Sequence, residues 1–148
     1  MSHRILVVDD EPGVLRVLQR GFENLSWKVT PCGKGAEAID RFSQERYDLV
    51  LLDIFMDPDC GLDVLQALKK RRQRALVMMM TGMGTIDLAV EAMKKGADEF
   101  VTKPFYIREL TTKITTLIES RRPRPHPLAR RLDEFLRDNS DQPDMSLQ

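Results

Sequence analysis

The sequence predicts a doubly wound α/β domain, in which a mostly parallel sheet of five strands is covered by helices on both faces. Short apolar runs of strand length recur at intervals of roughly twenty residues, and segments with helical apolar spacing lie between them. This alternation favours crossover connections and parallel pairing of the strands. Strands that are covered on both faces are expected to be continuously apolar, as these runs are.

The five predicted strands share a run of apolar or β-branched residues bounded by polar chain. In order they are ILVV (5–8), WKVTPC (27–32), LVLL (49–52), ALVMMM (75–80) and EFVT (99–102). The three consecutive methionines at 78–80 fit the interior of a strand, because methionine adapts to irregular gaps in a core.

Five predicted helices follow the strands, each marked by apolar residues three, four or seven positions apart. Their apolar positions are Val14, Leu18 and Leu25; Ala36, Ile39 and Phe42; Leu62, Leu65 and Leu68; Ile86, Ala89, Val90 and Met93; and Ile107, Leu110, Ile114, Leu117 and Ile118. We expect each of these stripes to face the sheet. Pro12 suits the first turn of the first helix, and Gly96 suits a left-handed stop after the fourth.

Composition limits the classes of partner. The chain has 148 residues with 23 basic and 23 acidic side chains, so no overall charge attracts it to nucleic acid or anionic lipid. Its two cysteines, Cys32 and Cys60, are expected to be free thiols in a reducing compartment. We expect a soluble cytoplasmic protein without a membrane partner, because no stretch resembles a membrane span or a secretory signal.

Residues 1–120 are predicted to form the folded domain. The stretch RRPRPHP at 121–127 is rich in proline and arginine, which predicts an extended linker. Residues 128–148 begin with an amphipathic stripe and end in polar chain, so we predict a tail helix there. The tail is either a docking or dimerising element of a single-domain protein or the start of a truncated output domain.

Polar residues follow four of the predicted strands. Asp9 and Asp10 follow the first, Asp53 the third, Thr81 the fourth and Lys103 the fifth. In an open parallel sheet these strand ends share one edge, where function collects. Three converging carboxylates need a compensating cation, and Mg²⁺ prefers such ligands together with a phosphate oxygen. A lysine and a hydroxyl suit the remaining phosphate oxygens, so the pattern predicts phosphoryl chemistry.

Each of these residues also has a simpler explanation when it is taken alone. Asp9 or Asp10 would serve as a helix cap, Thr81 would start a turn, and Lys103 would be one solvated lysine among many. The functional interpretation is favoured because all of them fall at the same edge of one sheet.

Five motifs occur in a fixed order: ILVVDDEP, DLVLLDIFMD, MTGMG, AVEAMKKGADEF and TKPF. With these motifs and their spacing, residues 3–120 resemble the receiver domains of bacterial two-component response regulators. The resemblance implies a flavodoxin-like sheet with strand order 2-1-3-4-5. It also implies that Asp53 accepts a phosphoryl group from a sensor histidine kinase or a phosphotransfer protein, in a domain that catalyses only its own phosphorylation and dephosphorylation.

The same resemblance implies the metal ligands. Asp10 would bind Mg²⁺ directly and Asp9 mainly through water, and Asp53 and the backbone carbonyl of Phe55 would complete the protein ligands.

It further implies a switch. Lys103, followed by a cis peptide bond to Pro104, would contact the phosphoryl group, while Thr81 and Phe100 would be the switch hydroxyl and the switch aromatic. Their movement would reshape the face formed by the fourth helix, fifth strand and fifth helix, at roughly 85–120, for partner binding or homodimerisation.

The chain departs from the family pattern at one position. Many relatives have proline where this chain has Asp57, and Pro58 comes one place later, while Gly61 keeps its usual offset. Asp57 adds a fourth carboxylate nearby, which would alter Mg²⁺ affinity or the rate of dephosphorylation if it acted on the site, but we expect it to be a solvated loop residue. Phe55 and Met83 lack polar groups that would orient an attacking water, so we expect the phosphoryl group to be relatively long-lived.

Other functional classes fit less well. A phosphohydrolase similar to the haloacid-dehalogenase group would have a second acid at position 55, where Phe55 stands. A nucleotide-binding protein would have a glycine-rich loop after the first strand, where this chain reads DDEPG. A phosphorylation-independent interaction module stays open. So does the receiver part of a longer DNA-binding transcriptional regulator, because the tail weakly resembles the start of arabinose-regulator-type DNA-binding domains; DNA is a partner only if an output domain follows residue 148.

Overall fold

The computed structural model describes residues 2–121, and the structural statements below refer to that part of the chain. Its five strands are β1 (Arg4–Val8), β2 (Lys28–Cys32), β3 (Leu49–Asp53), β4 (Val77–Thr81) and β5 (Glu99–Thr102). Its five helices are α1 (Pro12–Glu23), α2 (Gly35–Gln44), α3 (Gly61–Arg71), α4 (Ile86–Lys94) and α5 (Ile107–Arg121). Strands and helices alternate as the periodicity predicted.

The strands form one sheet in the order β2-β1-β3-β4-β5, and every pairing is parallel. The predicted doubly wound fold with this strand order is therefore confirmed. Val8 at the end of β1 is in register with Leu52, the residue before Asp53. Thr81 at the end of β4 is in register with Thr102 at the end of β5. The carboxyl ends of the central strands consequently lie side by side at one edge.

Alternate residues of the strands face two separate apolar cores, as expected for a sheet covered on both faces. Leu6, Val8, Val50 and Leu52 belong to a cluster that includes residues of α2 and α3. The residues between them belong to a second cluster with residues of α1 and α5, among them Leu18, Phe22, Leu110 and Ile114. The three methionines at 78–80 are fully buried, which confirms their predicted place in the core.

The predicted orientation of the fourth helix is wrong. Ile86, Val90 and Met93 do share one face of α4, but their side chains are 83%, 46% and 48% exposed. The buried residue of this helix is Ala92. Apolar spacing predicts that residues share a helix face, but the neighbouring elements decide whether that face meets the sheet or solvent.

Two further stripe positions differ from the prediction. Leu25 lies beyond the end of α1 and is half exposed. In α2 the buried residues are Gly35, Ala38 and Phe42, while Ala36 is exposed.

The boundary signals are mostly confirmed. Pro12 occupies the first turn of α1, and Gly96 after α4 has a φ of 108°, a conformation that favours glycine. The Lys103–Pro104 peptide is cis, as is Asp57–Pro58.

Helix α5 extends one residue into the predicted linker. The rest of that linker and the predicted tail helix at 128–148 lie outside the described residues. Within residues 2–121, no helix is both long enough and apolar enough to cross a bilayer.

Gly61, the first residue of α3, lies very close to the backbone at the end of β3. A Cβ at this position would overlap the carbonyl oxygen of Asp53 and lie 2.7 Å from the Cα of Ile54. A Cβ on Gly13, in α1, would meet no atom within 4 Å.

We therefore expect Gly61→Ala to lower the free energy of unfolding by at least about 2 kcal/mol, because the backbone must shift to relieve the overlap. Gly13→Ala is the matched control, and it should raise the free energy by up to about 1 kcal/mol through helix propensity. Urea denaturation measures both values. Equal effects of the two substitutions would contradict the close approach.

Candidate functional site

Three aspartates converge at the carboxyl edge of the sheet, as the sequence predicts. One carboxylate oxygen from each of Asp9, Asp10 and Asp53 lies within 4.8 Å of the other two. Asp9 is fully buried and Asp53 is 3% exposed, whereas Asp10 is exposed. Asp53 is the last residue of β3, so a packed strand fixes its backbone.

Lys103 enters this cluster from the loop after β5. Its Nζ lies 2.6 Å from Asp9 Oδ2, 3.4 Å from Asp53 Oδ2 and 4.0 Å from Glu11 Oε1. Its main-chain N–H donates to the carbonyl of Thr81 at 2.7 Å, which ties the loop to the end of β4. The alternative that Lys103 is merely a solvated lysine is wrong. The sequence indicated no role for Glu11 beyond its position after the aspartates.

Burial and the neighbouring charges shift the pKa values of this pair. Burial, and then the negative charge of Asp9, raises the pKa of Asp53 from 3.8 to about 6, although Lys103 opposes the shift. Burial would lower the pKa of Lys103, but its hydrogen bond to Asp9 and the charges of Asp53 and Asp9 outweigh burial, so its pKa is raised. At neutral pH the ammonium is charged and Asp53 is mostly ionised.

Main-chain donors orient the two buried carboxylates. Asp9 Oδ1 accepts from the N–H of Glu11 at 2.9 Å, and Asp53 Oδ1 accepts from the N–H of Phe55 at 3.3 Å. The N-cap of α1 is Glu11, without a side-chain hydrogen bond, so neither Asp9 nor Asp10 caps this helix. The carbonyl of Phe55 stays a predicted metal ligand.

The residues predicted for the switch lie on the two strands beyond β3. Thr81 is fully buried at the end of β4, and its Oγ1 accepts from the N–H of Met83 at 3.1 Å, which leaves the hydroxyl proton for another acceptor. Phe100 is partly buried on β5 against the core cluster that contains α3 residues. A Cβ on Gly84 would lie 3.4 Å from Cε1 of Phe100, so the loop after β4 packs on this ring.

Two contacts of the loop after β3 were missed by sequence reasoning. The N–H of Asp57 donates to Asp10 Oδ2 at 3.1 Å. The N–H of Gly35, at the start of α2, donates to Asp59 Oδ2 at 2.8 Å. The first donor belongs to the main chain, and the second pair is 24 residues apart, so neither contact has a signal in residue type or spacing.

The donor set of the cluster fits a hard cation. Three carboxylates and one ammonium leave a formal charge of −2 when all are ionised, which a divalent ion would neutralise. Oxygen ligands of this kind are those that Mg²⁺ and similar ions prefer. The three aspartates could therefore hold a metal ion.

Comparisons with known proteins agree on one family. Residues 5–115 match the model of the response regulator receiver domain. The chain is 35% identical to the transcriptional activator protein PfeR of Pseudomonas aeruginosa over 135 residues, which cover 91% of this chain and 44% of that protein. It spans about half the length of the curated relatives it matches.

Two solved structures are similar over the whole receiver region. A CheY-like receiver domain protein from Methanospirillum hungatei is 27% identical with a TM-score of 0.77, and the match covers 81% of this chain and 96% of that chain. The beryllofluoride-activated receiver domain dimer of NtrC4 is 30% identical with a TM-score of 0.75, covering 79% and 97%. The sheet order, the strand-end cluster and these matches together show that the chain belongs to the response regulator receiver domain family of two-component signalling.

Proposed function

We propose that this receiver domain accepts a phosphoryl group on Asp53 from a sensor histidine kinase or a phosphotransfer protein, with Mg²⁺ as cofactor. One observation carries the proposal. The buried carboxylate of Asp53 ends a central strand with the ammonium of Lys103 at 3.4 Å and the carboxylates of Asp9 and Asp10 beside it. This arrangement combines a fixed nucleophile with groups that compensate the charge of a phosphate.

The transfer itself exchanges one bond for another. A carboxylate oxygen of Asp53 forms a bond to phosphorus while the bond from phosphorus to the donor's histidine nitrogen breaks, and its electron pair leaves with that nitrogen. The domain's contribution is to position its own groups, so it catalyses its own phosphorylation and not the turnover of an external substrate. Strand β3 and the N–H of Phe55 hold the nucleophile in one orientation.

The surrounding side chains would compensate the negative charge of the phosphoryl group. Lys103 Nζ, which contacts Asp9 and Asp53, would bind a phosphoryl oxygen, and the hydroxyl of Thr81 would donate to another. Asp9, Asp10 and Asp53, with the carbonyl of Phe55, would hold Mg²⁺. When it is bound, Mg²⁺ neutralises charge that develops on the phosphoryl oxygens.

Phosphorylation is proposed to act on the face formed by α4, β5 and α5. Movement of Thr81 toward the phosphoryl group would vacate space that Phe100 can fill. The exposed apolar stripe of Ile86, Val90 and Met93 gives this face a surface suited to a protein partner or a second copy of the chain. The similar NtrC4 receiver domain is a dimer in its beryllofluoride-activated form, which supports the second of these.

A second candidate is that the chain is the receiver part of a longer DNA-binding transcriptional regulator. The relatives are compatible with it, because PfeR is a transcriptional activator and the chain covers 44% of its length. The sequence of the gene beyond codon 148 tests this candidate. A reading frame that continues into a DNA-binding domain supports it, and a stop codon contradicts it.

The phosphoacceptor assignment predicts a mass change. With Mg²⁺ and acetyl phosphate, the intact protein should gain one phosphoryl group, and Asp53→Asn should gain none. Asp40→Asn, at an exposed aspartate of α2, is the matched control and should be labelled like the wild type. Labelling that persists in Asp53→Asn, or that is unchanged when Mg²⁺ is chelated, would overturn the assignment.

The raised pKa of Asp53 predicts how stability depends on pH in the metal-free protein. Because the folded-state pKa of about 6 is above the unfolded value of 3.8, the contribution of Asp53 to the stability of the wild type should fall as pH rises from about 4 to about 7. Asp53→Asn lacks this loss, so it should be more stable by about 1–3 kcal/mol at pH 7.5, and the difference should vanish near pH 4.

Denaturant melts in EDTA across this pH range measure the difference. Asp40→Asn should stay within about 0.5 kcal/mol of the wild type at every pH. A pH-independent effect of Asp53→Asn would show that the folded state does not raise the pKa of Asp53.

The switch predicts changes far from Asp53. Beryllofluoride with Mg²⁺ should shift amide resonances across α4 and β5 and promote self-association in sedimentation, with a coupling free energy of about 1–3 kcal/mol. Thr81→Ala should still bind the mimic but lose the remote shifts. Shifts that stay confined to the neighbourhood of Asp53 in the wild type would reject the switch.

A further inference from the structure

The carboxylate of Asp10 is held by a main-chain group of the loop after β3. Its Oδ2 accepts from the N–H of Asp57 at 3.1 Å. We propose that this N–H is a positioning group, which holds Asp10 in the orientation that binds the cation. The inference rests on the proposed function, because it takes Asp10 as a ligand of Mg²⁺.

Asp10 needs such a group more than the other two aspartates do. Asp9 and Asp53 are buried and lie within ion-pair distance of Lys103. Asp10 is exposed, so its side chain has other rotamers that it can adopt in solvent. Fixing one rotamer before the cation arrives removes an entropic cost of binding. A carboxylate has about four lone-pair sites, so a hydrogen bond to Oδ2 leaves others for the metal.

The donor sits on a loop that is itself fixed at several points. The N–H of Gly61 donates to the carbonyl of Ile54 at 2.7 Å, which closes the base of the loop. The carboxylate of Asp59 accepts from the N–H of Gly35 at 2.8 Å, which fastens the loop to the start of α2. The N–H of Asp57 is therefore held in place by its surroundings, as preorganisation requires.

The residue type at position 57 decides whether this donor exists. Proline has no main-chain N–H, so a proline at position 57 would leave Asp10 without this hydrogen bond. The sequence has Asp57 there and places its proline one residue later. The side-chain charge of Asp57 is a separate effect, because an exposed carboxylate attracts the cation only weakly and salt screens that attraction.

Two substitutions separate the N–H from the charge. Asp57→Ala removes the carboxylate and keeps the N–H, whereas Asp57→Pro removes both. We expect Asp57→Pro to bind Mg²⁺ about tenfold more weakly than Asp57→Ala, the size of effect typical for groups that orient a metal ligand. The smaller difference between Asp57→Ala and the wild type should shrink in high salt.

The affinities are measured by ¹H–¹⁵N NMR titration with MgCl₂ alone. The amide resonance of residue 57 is a direct reporter in the wild type and in Asp57→Ala, where it should shift with the same midpoint as the other responding amides.

Two controls distinguish a lost hydrogen bond from a damaged loop. Cys60→Ala changes another exposed residue of the same loop, whose side chain makes no cap hydrogen bond, and should leave the affinity within about twofold of the wild type. In an Asp10→Ala background, Asp57→Pro and Asp57→Ala should bind Mg²⁺ equally weakly, because the acceptor is gone. A tenfold difference that persists in this background would overturn the proposal.

The outcomes also separate this inference from the proposed function. Equal affinities of Asp57→Pro and Asp57→Ala, in a wild type that binds Mg²⁺ and is phosphorylated on Asp53, would overturn the positioning role alone. A wild type that does not bind Mg²⁺ would overturn both.

Discussion

The ammonium of Lys103 lies between two buried carboxylates, and the site depends on this three-group ion cluster. Asp9 and Asp53 are buried at the edge of the sheet, so their carboxylates are largely desolvated. Without a nearby cation, the repulsion between them would destabilise the folded state. Nζ of Lys103 meets both at 2.6 and 3.4 Å. Lys103 and Asp9 are 94 residues apart, so the cluster forms only when the first and last strands are both in the sheet.

One cation is too few for three carboxylates, and this imbalance links the stability of the domain to its proposed ligand. Burial, and then the charge of Asp9, raises the pKa of Asp53, so Lys103 alone does not compensate its ionised form. A divalent ion would relieve it, and binding would then stabilise the folded state by mass action. Hydrogen bonds of Gly61 and Asp59 fix the loop after β3. The loop therefore keeps its conformation although the carboxylates of the site repel one another. Carboxylates whose pKa values are raised by burial and by like charges are common at functional sites.

The strand order gives the proposed signal a short route. Asp53, Thr81 and Phe100 lie on β3, β4 and β5, which are consecutive neighbours in the sheet. The loop after β4, which packs on Phe100, leads directly into α4. The exposed apolar stripe of that helix begins with Ile86, whose side chain is mostly in solvent. In the proposed switch, a change at Asp53 would reach an apolar surface through these adjacent strand ends.

By itself, the sequence determined the elements and the set of residues at the site. Apolar runs marked the strands, and parallel strands end at one edge, so Asp53 and Lys103 could be placed together without coordinates. Tertiary structure decided which surface each helix face meets and which partner each main-chain group finds. The spacing of Ile86 and Val90 specified a shared face of α4, but only packing showed that this face meets solvent. The hydrogen bond from Asp57 to Asp10 was equally hidden, because a main-chain N–H is common to nearly every residue type and its partner is set by how two distant loops meet.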